Sequence, residues 1–149
     1  INKTTIFKVG HDEAESVWAL GLTAKEYAKY FFRGDVQLTI VTRTDNGAVI
    51  YDGSNLFEHP GYPVDVVDPV GAGDAFIAGF LASILEHHTV HEFFSLESQI
   101  RQNILSRAID IANVCGASIC TRYGDTASMP SMNQVTEFLD TYGPKTAML

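Results

Sequence analysis

Residues 68–74 read Asp-Pro-Val-Gly-Ala-Gly-Asp and lead directly into the apolar run Ala-Phe-Ile-Ala-Gly-Phe-Leu-Ala-Ser-Ile-Leu at 75–85. A short strand is predicted at 64–67, so the local order is strand, glycine-rich turn, helix. Such a turn points unpaired backbone N–H groups at one spot, where the helix dipole also favours negative charge. Asp74 is expected in the N-cap region of that helix, which puts a carboxylate beside an anion site.

A carboxylate next to a cradle for negative charge is what phosphoryl transfer requires. A base must take the proton of the attacking hydroxyl, and fixed donors must hold the charge on the phosphoryl group. The alternative is an ordinary glycine-rich turn before a buried helix. Gly-Ala-Gly alone would favour that alternative, whereas Asp74 and the downstream features favour the anion site.

Composition limits the classes of partner. The chain has 149 residues, the size of one domain, and 46% of them are hydrophobic, which is enough for a core. The 18 acidic and 10 basic side chains give a formal net charge of −8, which argues against nucleic acid or an anionic membrane as a partner. A nucleotide site must therefore be built locally from backbone N–H groups, a few cations and a metal ion.

Targeting signals and cysteines bear on location. The sequence contains no 18-residue apolar run and no signal-peptide pattern. Two cysteines, Cys115 and Cys120, are typical of a reducing compartment, so we predict a cytoplasmic protein. The first residue is Ile, and the first predicted strand starts almost at once, so we expect the chain to be the C-terminal part of something longer.

Hydrophobic periodicity predicts strands alternating with helices. The predicted strands are 4–9, 36–42, 48–51, 56–59 and 64–67, with a tight turn at 45–47. The predicted helices are 11–20, one running from the capping box at 23–26 to about 32, 75–85, 103–115, and one from the capping box at 131–134 to about 142. Residues 87–102 are predicted to form a loop with a short helix. This order implies an α/β sandwich whose sheet has an antiparallel edge.

The glycine-rich run resembles the second signature of the ribokinase-like (PfkB-type) carbohydrate kinases. Asp68, Pro69, the core at 71–74, Ala78 and Gly79 fall on pattern positions. The resemblance extends from residue 4 to about 139 and implies a three-layer α/β/α sandwich. It identifies 1–149 as the nucleotide-binding and catalytic C-terminal half, without the N-terminal part that holds the sugar and forms the lid.

The resemblance assigns chemical roles around the turn. Asp74 would be the base for the sugar hydroxyl, and the backbone N–H groups of Ala72, Gly73 and Asp74 would hold the transferring phosphoryl group. Gly71 and Gly73 would let the phosphate approach the backbone closely.

Two further segments resemble nucleotide-binding parts of the family. Residues 41–47, Val-Thr-Arg-Thr-Asp-Asn-Gly, lie where the family usually has a Val-Thr-Leu-Gly-x-x-Gly turn beside the nucleotide phosphates. Thr42 and Gly47 carry over, whereas Thr44 replaces a glycine, so the turn is expected to differ. Residues 112–117 resemble a helix end that faces adenine. There Asn113 is either a nucleotide contact or an ordinary polar residue.

The resemblance also implies metal ions. Residues 10–13, Gly-His-Asp-Glu, lie where many members have Asn-x-x-Glu, so Glu13 either positions Mg²⁺ through water or acts only as a first-turn helix acid. Residues 121–130 resemble a loop that, with Asp68, holds K⁺ in several members. The implied K⁺ residues are Asp68, Val70, Gly124 and Ser128. Asp68 has a second interpretation, in which its side chain only caps the turn.

The function implied is ATP-dependent phosphorylation of a sugar or keto-sugar acid. Gly10 and the glycine-rich run suggest the 2-keto-3-deoxygluconate kinase branch, with fructokinase or ribokinase as alternatives. A nucleoside or hydroxymethylpyrimidine kinase of the same fold, or an inactive nucleotide-binding fragment, are further alternatives. The resemblance implies a homodimer for the full-length protein. A Rossmann dehydrogenase is disfavoured, because no Gly-x-Gly-x-x-Gly follows the first strand.

Overall fold

The computed structural model describes residues 3–123 and 129–143 of the chain. The chain divides into two compact units, Ile1–His59 and Pro60–Leu149.

The first unit contains a four-stranded mixed sheet. Its strands are β1 (Ile6–Gly10), β2 (Leu38–Thr42), β3 (Ala48–Tyr51) and β4 (Leu56–His59), in that order across the sheet. β1 and β2 are parallel, with Gly10 opposite Thr42, while β2–β3 and β3–β4 are antiparallel. The predicted antiparallel edge is therefore confirmed, and the ends of β1 and β2 lie side by side.

Two short helices cover this sheet. They are α1 (His11–Trp18) and α2 (Ala24–Phe31). The predicted capping box of α2 is present, since the Thr23 hydroxyl accepts from the Glu26 N–H at 3.3 Å and Glu26 accepts from the Thr23 N–H at 2.8 Å. α1 ends before the predicted residue 20 because Ala19 adopts a left-handed conformation, φ 48°.

The connection from β2 to β3 is longer than the predicted tight turn at 45–47. A 3₁₀ turn spans Thr44–Asn46, and the Arg43 N–H donates to the Gly47 carbonyl at 2.7 Å. Gly47 has φ 74°, a conformation that glycine adopts without a steric penalty.

The second unit is helical. Its helices are α3 (Ala72–Leu85), α4 (Val90–Ser95), α5 (Ser98–Cys120) and α6 (Met132–Thr141). The predicted cap of α6 is confirmed, because the Ser131 hydroxyl accepts from the Gln134 N–H at 3.4 Å. α5 extends beyond the predicted 103–115 at both ends, since polar residues at its start and small residues at its end continue the same helix. No helix in the described part of the chain is long and apolar enough to cross a lipid bilayer.

The predicted strand at 64–67 is wrong. The N–H groups of Val67 and Asp68 both donate to the Cys120 carbonyl at the end of α5, at 2.8 and 3.2 Å. Val66 and Val67 are 58% and 45% exposed. Branched side chains favour strands, but a strand forms only beside a neighbour that completes its hydrogen bonds, and the described residues provide none here.

Close packing of α3 on α5 depends on two glycines. A Cβ on Gly79 of α3 would lie 2.6 Å from the Cys115 sulfur and 3.0 Å from the Cys115 Cβ. A Cβ on Gly116 of α5 would lie 3.3 Å from the Ala72 carbonyl oxygen. The start of α3 is therefore seated directly against the backbone of α5.

We predict that Gly79→Ala destabilises the chain by about 1–3 kcal/mol, the cost of an overpacked contact. Alanine normally gains about 1 kcal/mol over glycine inside a helix, so the clash must outweigh that gain. Urea denaturation of the parent and the variant measures the difference.

Gly143→Ala is the matched control, because a Cβ there meets nothing within 4 Å. Adding Cys115→Ala to Gly79→Ala should recover part of the loss, since the sulfur is the nearest obstacle. An unchanged or raised free energy of unfolding in Gly79→Ala would show that α3 and α5 move apart to accommodate the methyl group without loss of stability.

Candidate active site

The glycine-rich turn ends in an abrupt change of backbone direction. Gly71 precedes α3 with φ 82° and ψ −3°, and the Ala75 N–H donates to the Gly71 carbonyl at 2.8 Å. The helix thus begins at Ala72, three residues earlier than predicted. Asp74 is the third residue of the helix and does not lie at its N-cap.

The first turn of α3 offers two backbone donors. The Ala72 N–H donates to the Pro69 carbonyl at 3.2 Å, whereas the N–H groups of Gly73 and Asp74 have no acceptor among the described residues. The Asp74 carboxylate is exposed and makes no hydrogen bond or ion pair in the described part of the chain. Unpaired first-turn N–H groups and the positive end of a helix dipole suit an oxyanion such as phosphate.

Asp68 caps the turn. Its Oδ1 accepts the Val70 N–H at 3.0 Å, which is the capping arrangement considered from the sequence. Burial first, and the nearby Asp68 carboxylate second, raise the pKa of the Cys120 thiol. Asp68 is therefore fixed beside the end of α5, with Oδ2 left as an oxygen that a cation could use. Val70 is 63% exposed, and Gly124 and Ser128 lie outside the described residues.

Asn113 lies within α5 and not at a helix end, because the helix continues to Cys120. The side chain is 6% exposed, and its amide nitrogen donates to the Ile109 carbonyl at 2.7 Å. A buried amide must find such a partner, and the preceding turn of the helix supplies it. Its donor is therefore engaged within the helix, as expected for an ordinary polar residue.

Sequence reasoning missed an anchor just before the glycine-rich turn. The Tyr62 hydroxyl donates to Asp110 of α5, and its ring lies 5.3 Å from that of Phe138, centroid to centroid. Burial, reinforced by the Asp110 carboxylate, raises the pKa of Tyr62 above its ordinary value. Tyr62 thereby ties the segment that leads into the turn to two helices. No local pattern could have paired residues that are so far apart in sequence.

The first unit brings together the other predicted phosphate and magnesium residues. Gly10 and Thr42 are opposite each other at the ends of β1 and β2, and Glu13 is in the first turn of α1. Glu13 Oε2 accepts the Gly10 N–H at 2.7 Å, and a Cβ on Gly10 would lie 2.9 Å from that oxygen. Glu13 therefore closes the start of α1 with a hydrogen bond, and it also lies in the first turn, where a carboxylate interacts favourably with the helix dipole.

Magnesium has no preformed cage in the described part of the chain, where no group of three or more His, Cys, Asp or Glu side chains converges. Mg²⁺ commonly takes only one or two carboxylates and fills its other positions with water and substrate phosphates. Glu13 Oε2 is bonded to the Gly10 N–H, which leaves Oε1 as a carboxylate oxygen that such an ion could use.

The turn at 42–47 carries backbone strain. Thr44 has φ 53°, in the left-handed region that glycine adopts freely and a branched residue rarely enters. This is the position at which the sequence resemblance led us to expect a different turn, and the observed conformation is one that glycine adopts more readily than threonine. The Thr44 hydroxyl lies 3.4 Å from Asp12 Oδ2, a weak tie to α1.

Arg43 fastens this turn to β4. Its Nη1 lies 2.5 Å from Glu58 Oε1 and its Nη2 donates to the His59 carbonyl at 3.1 Å. Lys25 contacts the other Glu58 oxygen at 2.7 Å, and hydrogen bonds from Lys25 and then Arg43 lower the pKa of Glu58, partly opposed by burial. Arg43 Nε is buried without an acceptor among the described residues.

A cleft of about 780 Å³ opens beside the turn. Its lining includes Lys25, Arg43, Thr44, Asp45, Asn46 and Glu58. One sequence signal could have pointed to Arg43, since it stands at the leucine position of the turn that residues 41–47 resemble.

Known proteins resemble this chain in sequence and in fold. The aminoimidazole riboside kinase of Salmonella typhimurium is 31% identical over 97% of this chain and 42% of its own length. Fructokinase-1 of rice is 30% identical over 93% of this chain and 41% of its own length. This chain therefore spans about two fifths of the length of these relatives.

Solved structures agree with the sequence matches. The aminoimidazole riboside kinase from Salmonella enterica, complexed with aminoimidazole riboside and an ATP analog, has a TM-score of 0.73 at 31% identity, covering 91% of this chain and 42% of the other. A ribokinase from Thermotoga maritima has a TM-score of 0.69 at 22% identity, covering 91% of this chain and 42% of the other, and shows the fold alone. The predicted ribokinase-like α/β fold is confirmed.

The family model of the pfkB family carbohydrate kinases matches residues 1–132, most of the sequence. That range includes the glycine-rich turn, the strained turn at 42–47 and both helices that pack against each other through Gly79. The chain belongs to the pfkB family of carbohydrate kinases.

Proposed function

We propose that the full-length protein is an ATP-dependent kinase that phosphorylates a hydroxyl group of a small sugar or riboside. The observation that carries the proposal is the start of α3, where two unpaired N–H groups and the exposed Asp74 carboxylate lie within one helical turn. Donors for the phosphoryl oxygens and a base for the acceptor hydroxyl are thus provided together.

In the proposed reaction, Asp74 takes the proton of the acceptor hydroxyl as its oxygen bonds to the γ-phosphorus. The bond from that phosphorus to the β–γ bridging oxygen breaks, and ADP leaves. The N–H groups of Gly73 and Asp74 hold the phosphoryl oxygens during transfer. Phosphoryl transfer depends mainly on position and charge stabilisation, which these fixed donors supply. The Ala72 N–H, bonded to Pro69, contributes less than the sequence predicted.

The proposal extends to the nucleotide and its ions. The turn carrying Thr42 and Gly47 would contact the phosphates, and Asn113 would approach the adenine through its side-chain oxygen. Mg²⁺ would enter with ATP and be positioned by Glu13 through water. K⁺ would be held by Asp68 and Val70, with Gly124 and Ser128 as further ligands. Carboxylate and backbone carbonyl oxygens suit these hard cations.

The named relatives favour one substrate class. Aminoimidazole riboside and fructose are the substrates that their names and titles indicate. Both can present a five-membered sugar ring with a primary hydroxyl, so we propose a substrate of this kind. These relatives do not support the narrower 2-keto-3-deoxygluconate assignment, which the assay below tests directly.

We expect a coupled assay of the full-length protein to show ADP release with at least one of aminoimidazole riboside, fructose, ribose or 2-keto-3-deoxygluconate. Activity with a riboside or fructose should exceed that with the keto-acid. Turnover with none of them, together with measurable ATP binding, would instead indicate a protein that only binds nucleotide. Turnover with the keto-acid alone would overturn the proposed substrate class.

We predict that Asp74→Asn lowers kcat by at least about 10²-fold, because removing a positioned base typically costs that much. Its ATP affinity should change little, since the backbone donors remain. Gly73→Val should abolish transfer by holding phosphate away from the backbone. Steady-state kinetics and calorimetric titration with ATP separate the two effects.

Asp65→Asn is the control for Asp74→Asn, because Asp65 is an exposed carboxylate upstream of the turn. It should keep the parent kcat. Circular dichroism should show the parent's helix content in all three variants. Normal turnover by Gly73→Val would contradict the anion site at the start of α3.

Replacing Asp68 distinguishes a cation ligand from a turn cap. Asp68→Asn keeps an oxygen that can accept the Val70 N–H, whereas Asp68→Ala does not. We expect both variants to lose affinity for K⁺, by about tenfold for Asn, which corresponds to 1.4 kcal/mol. Activity is measured against KCl, with choline chloride holding the ionic strength constant.

The pattern of the two variants decides the role of Asp68. A parent-like K⁺ response in Asp68→Asn with a defect only in Asp68→Ala would leave turn capping as the sole role. A parent enzyme that ignores K⁺ would remove the proposed cation site.

A further inference from the structure

We infer that Arg43 is a positioning residue that holds the strained turn at 42–47 in the conformation needed for nucleotide binding. The inference rests on the proposed function, because it takes this turn as part of the nucleotide site. It concerns two neighbouring residues of this turn, Arg43 with its contacts to β4 and Thr44 with its left-handed backbone.

The first step concerns strain. Thr44 adopts φ 53°, where its Cβ crowds the backbone, and such a conformation persists only where surrounding contacts enforce it. The Arg43 N–H bonds to the Gly47 carbonyl at 2.7 Å, and its carbonyl accepts the Asn46 N–H at 2.8 Å. These bonds close the turn, but they lie within it and cannot hold it against the sheet.

The second step concerns the side chain of Arg43. Its two terminal nitrogens contact Glu58 and the His59 carbonyl, both on β4, at 2.5 and 3.1 Å. A planar guanidinium held at two points fixes direction as well as distance. Only 22% of the Arg43 side chain is exposed, so these contacts are shielded more than those of a surface ion pair.

The third step relates the contacts of Arg43 to the strain at Thr44. A glycine at position 44 would adopt this conformation without strain, so the turn would not need the clamp formed by the Arg43 contacts with β4. A leucine at position 43 could not form that clamp. With threonine at 44, the turn has a conformational cost, and the Arg43 contacts oppose its relaxation. The effects of replacing Arg43 and Thr44 are therefore expected to be coupled.

A double-mutant cycle in the full-length protein tests this coupling. Arg43→Leu alone should weaken ATP binding about tenfold, a change of 1.4 kcal/mol, because ATP must then restore the strained turn. The apparent KM for ATP should rise while kcat changes little. Arg43→Leu combined with Thr44→Gly should regain most of the parent affinity, because glycine adopts the left-handed conformation without a steric penalty.

A second measurement does not depend on ATP. Thr44→Gly should raise the urea midpoint more in the parent than in Arg43→Leu, because the turn without its clamp has already relaxed. The effect of Thr44→Gly on ATP affinity should show the opposite pattern. It should be larger in Arg43→Leu, where it restores affinity, than in the parent. A residue that only stabilised the fold would not produce both results.

Lys29→Leu is the matched control. It removes an exposed cation of α2 that does not line the cleft, and it keeps both Arg43 contacts. Its ATP dissociation constant should stay within about twofold of the parent value, since an exposed lysine on a helix surface contributes little.

The outcomes separate the two proposals. A parent that binds no ATP would contradict the proposed function, and the urea cycle would then decide the role of Arg43 alone. If Arg43→Leu has the same effect with threonine and with glycine at position 44, in both ATP affinity and urea midpoint, the positioning role is overturned.

Discussion

The carbonyl of Cys120, at the last residue of α5, is the contact on which the proposed catalytic turn depends. It receives the N–H groups of Val67 and Asp68, so the entry to the glycine-rich turn is fixed to the end of a long helix. Gly79 and Gly116 then let α3 lie directly on that helix. The position of Asp74 thus follows from helix packing and two backbone hydrogen bonds.

The features that we propose to face the phosphates are made from backbone and not from clustered cations. This is consistent with a net charge of −8, which would repel a polyphosphate at long range. At the start of α3 the donors are N–H groups of a helix. Near the β2–β3 connection, Lys25 and Arg43 are both paired with Glu58, so part of their positive charge is already compensated.

Local patterns in the sequence predicted much of this architecture. The features predicted correctly depend on neighbours within a few residues. They are the capping boxes at Thr23 and Ser131, the strands at 48–51 and 56–59, and the glycine-rich turn before a helix. The predicted strand at 64–67 failed because its hydrogen bonds go to Cys120, a distant residue. The length of α5 was underestimated because polar residues at its start hid its continuity.

In the candidate site, too, local features were predicted and contacts between distant residues were missed. The Asp74 carboxylate and the glycines were predicted from a contiguous motif, although the helix begins earlier than the motif suggested. The contacts of Arg43 with β4 and of Tyr62 with Asp110 join residues far apart in sequence, and no periodicity reports them. The left-handed conformation of Thr44 was hidden for another reason, since threonine is a residue type that normally avoids it.

The thiol of Cys115 occupies the space that the missing side chain of Gly79 leaves open. Burial raises the pKa of this thiol, which disfavours its reactive thiolate form. Only 7% of Cys115 is exposed, so its modification is expected to be faster when α3 moves away from α5. The rate at which Cys115 reacts would therefore report local opening of the helix pair that carries Asp74.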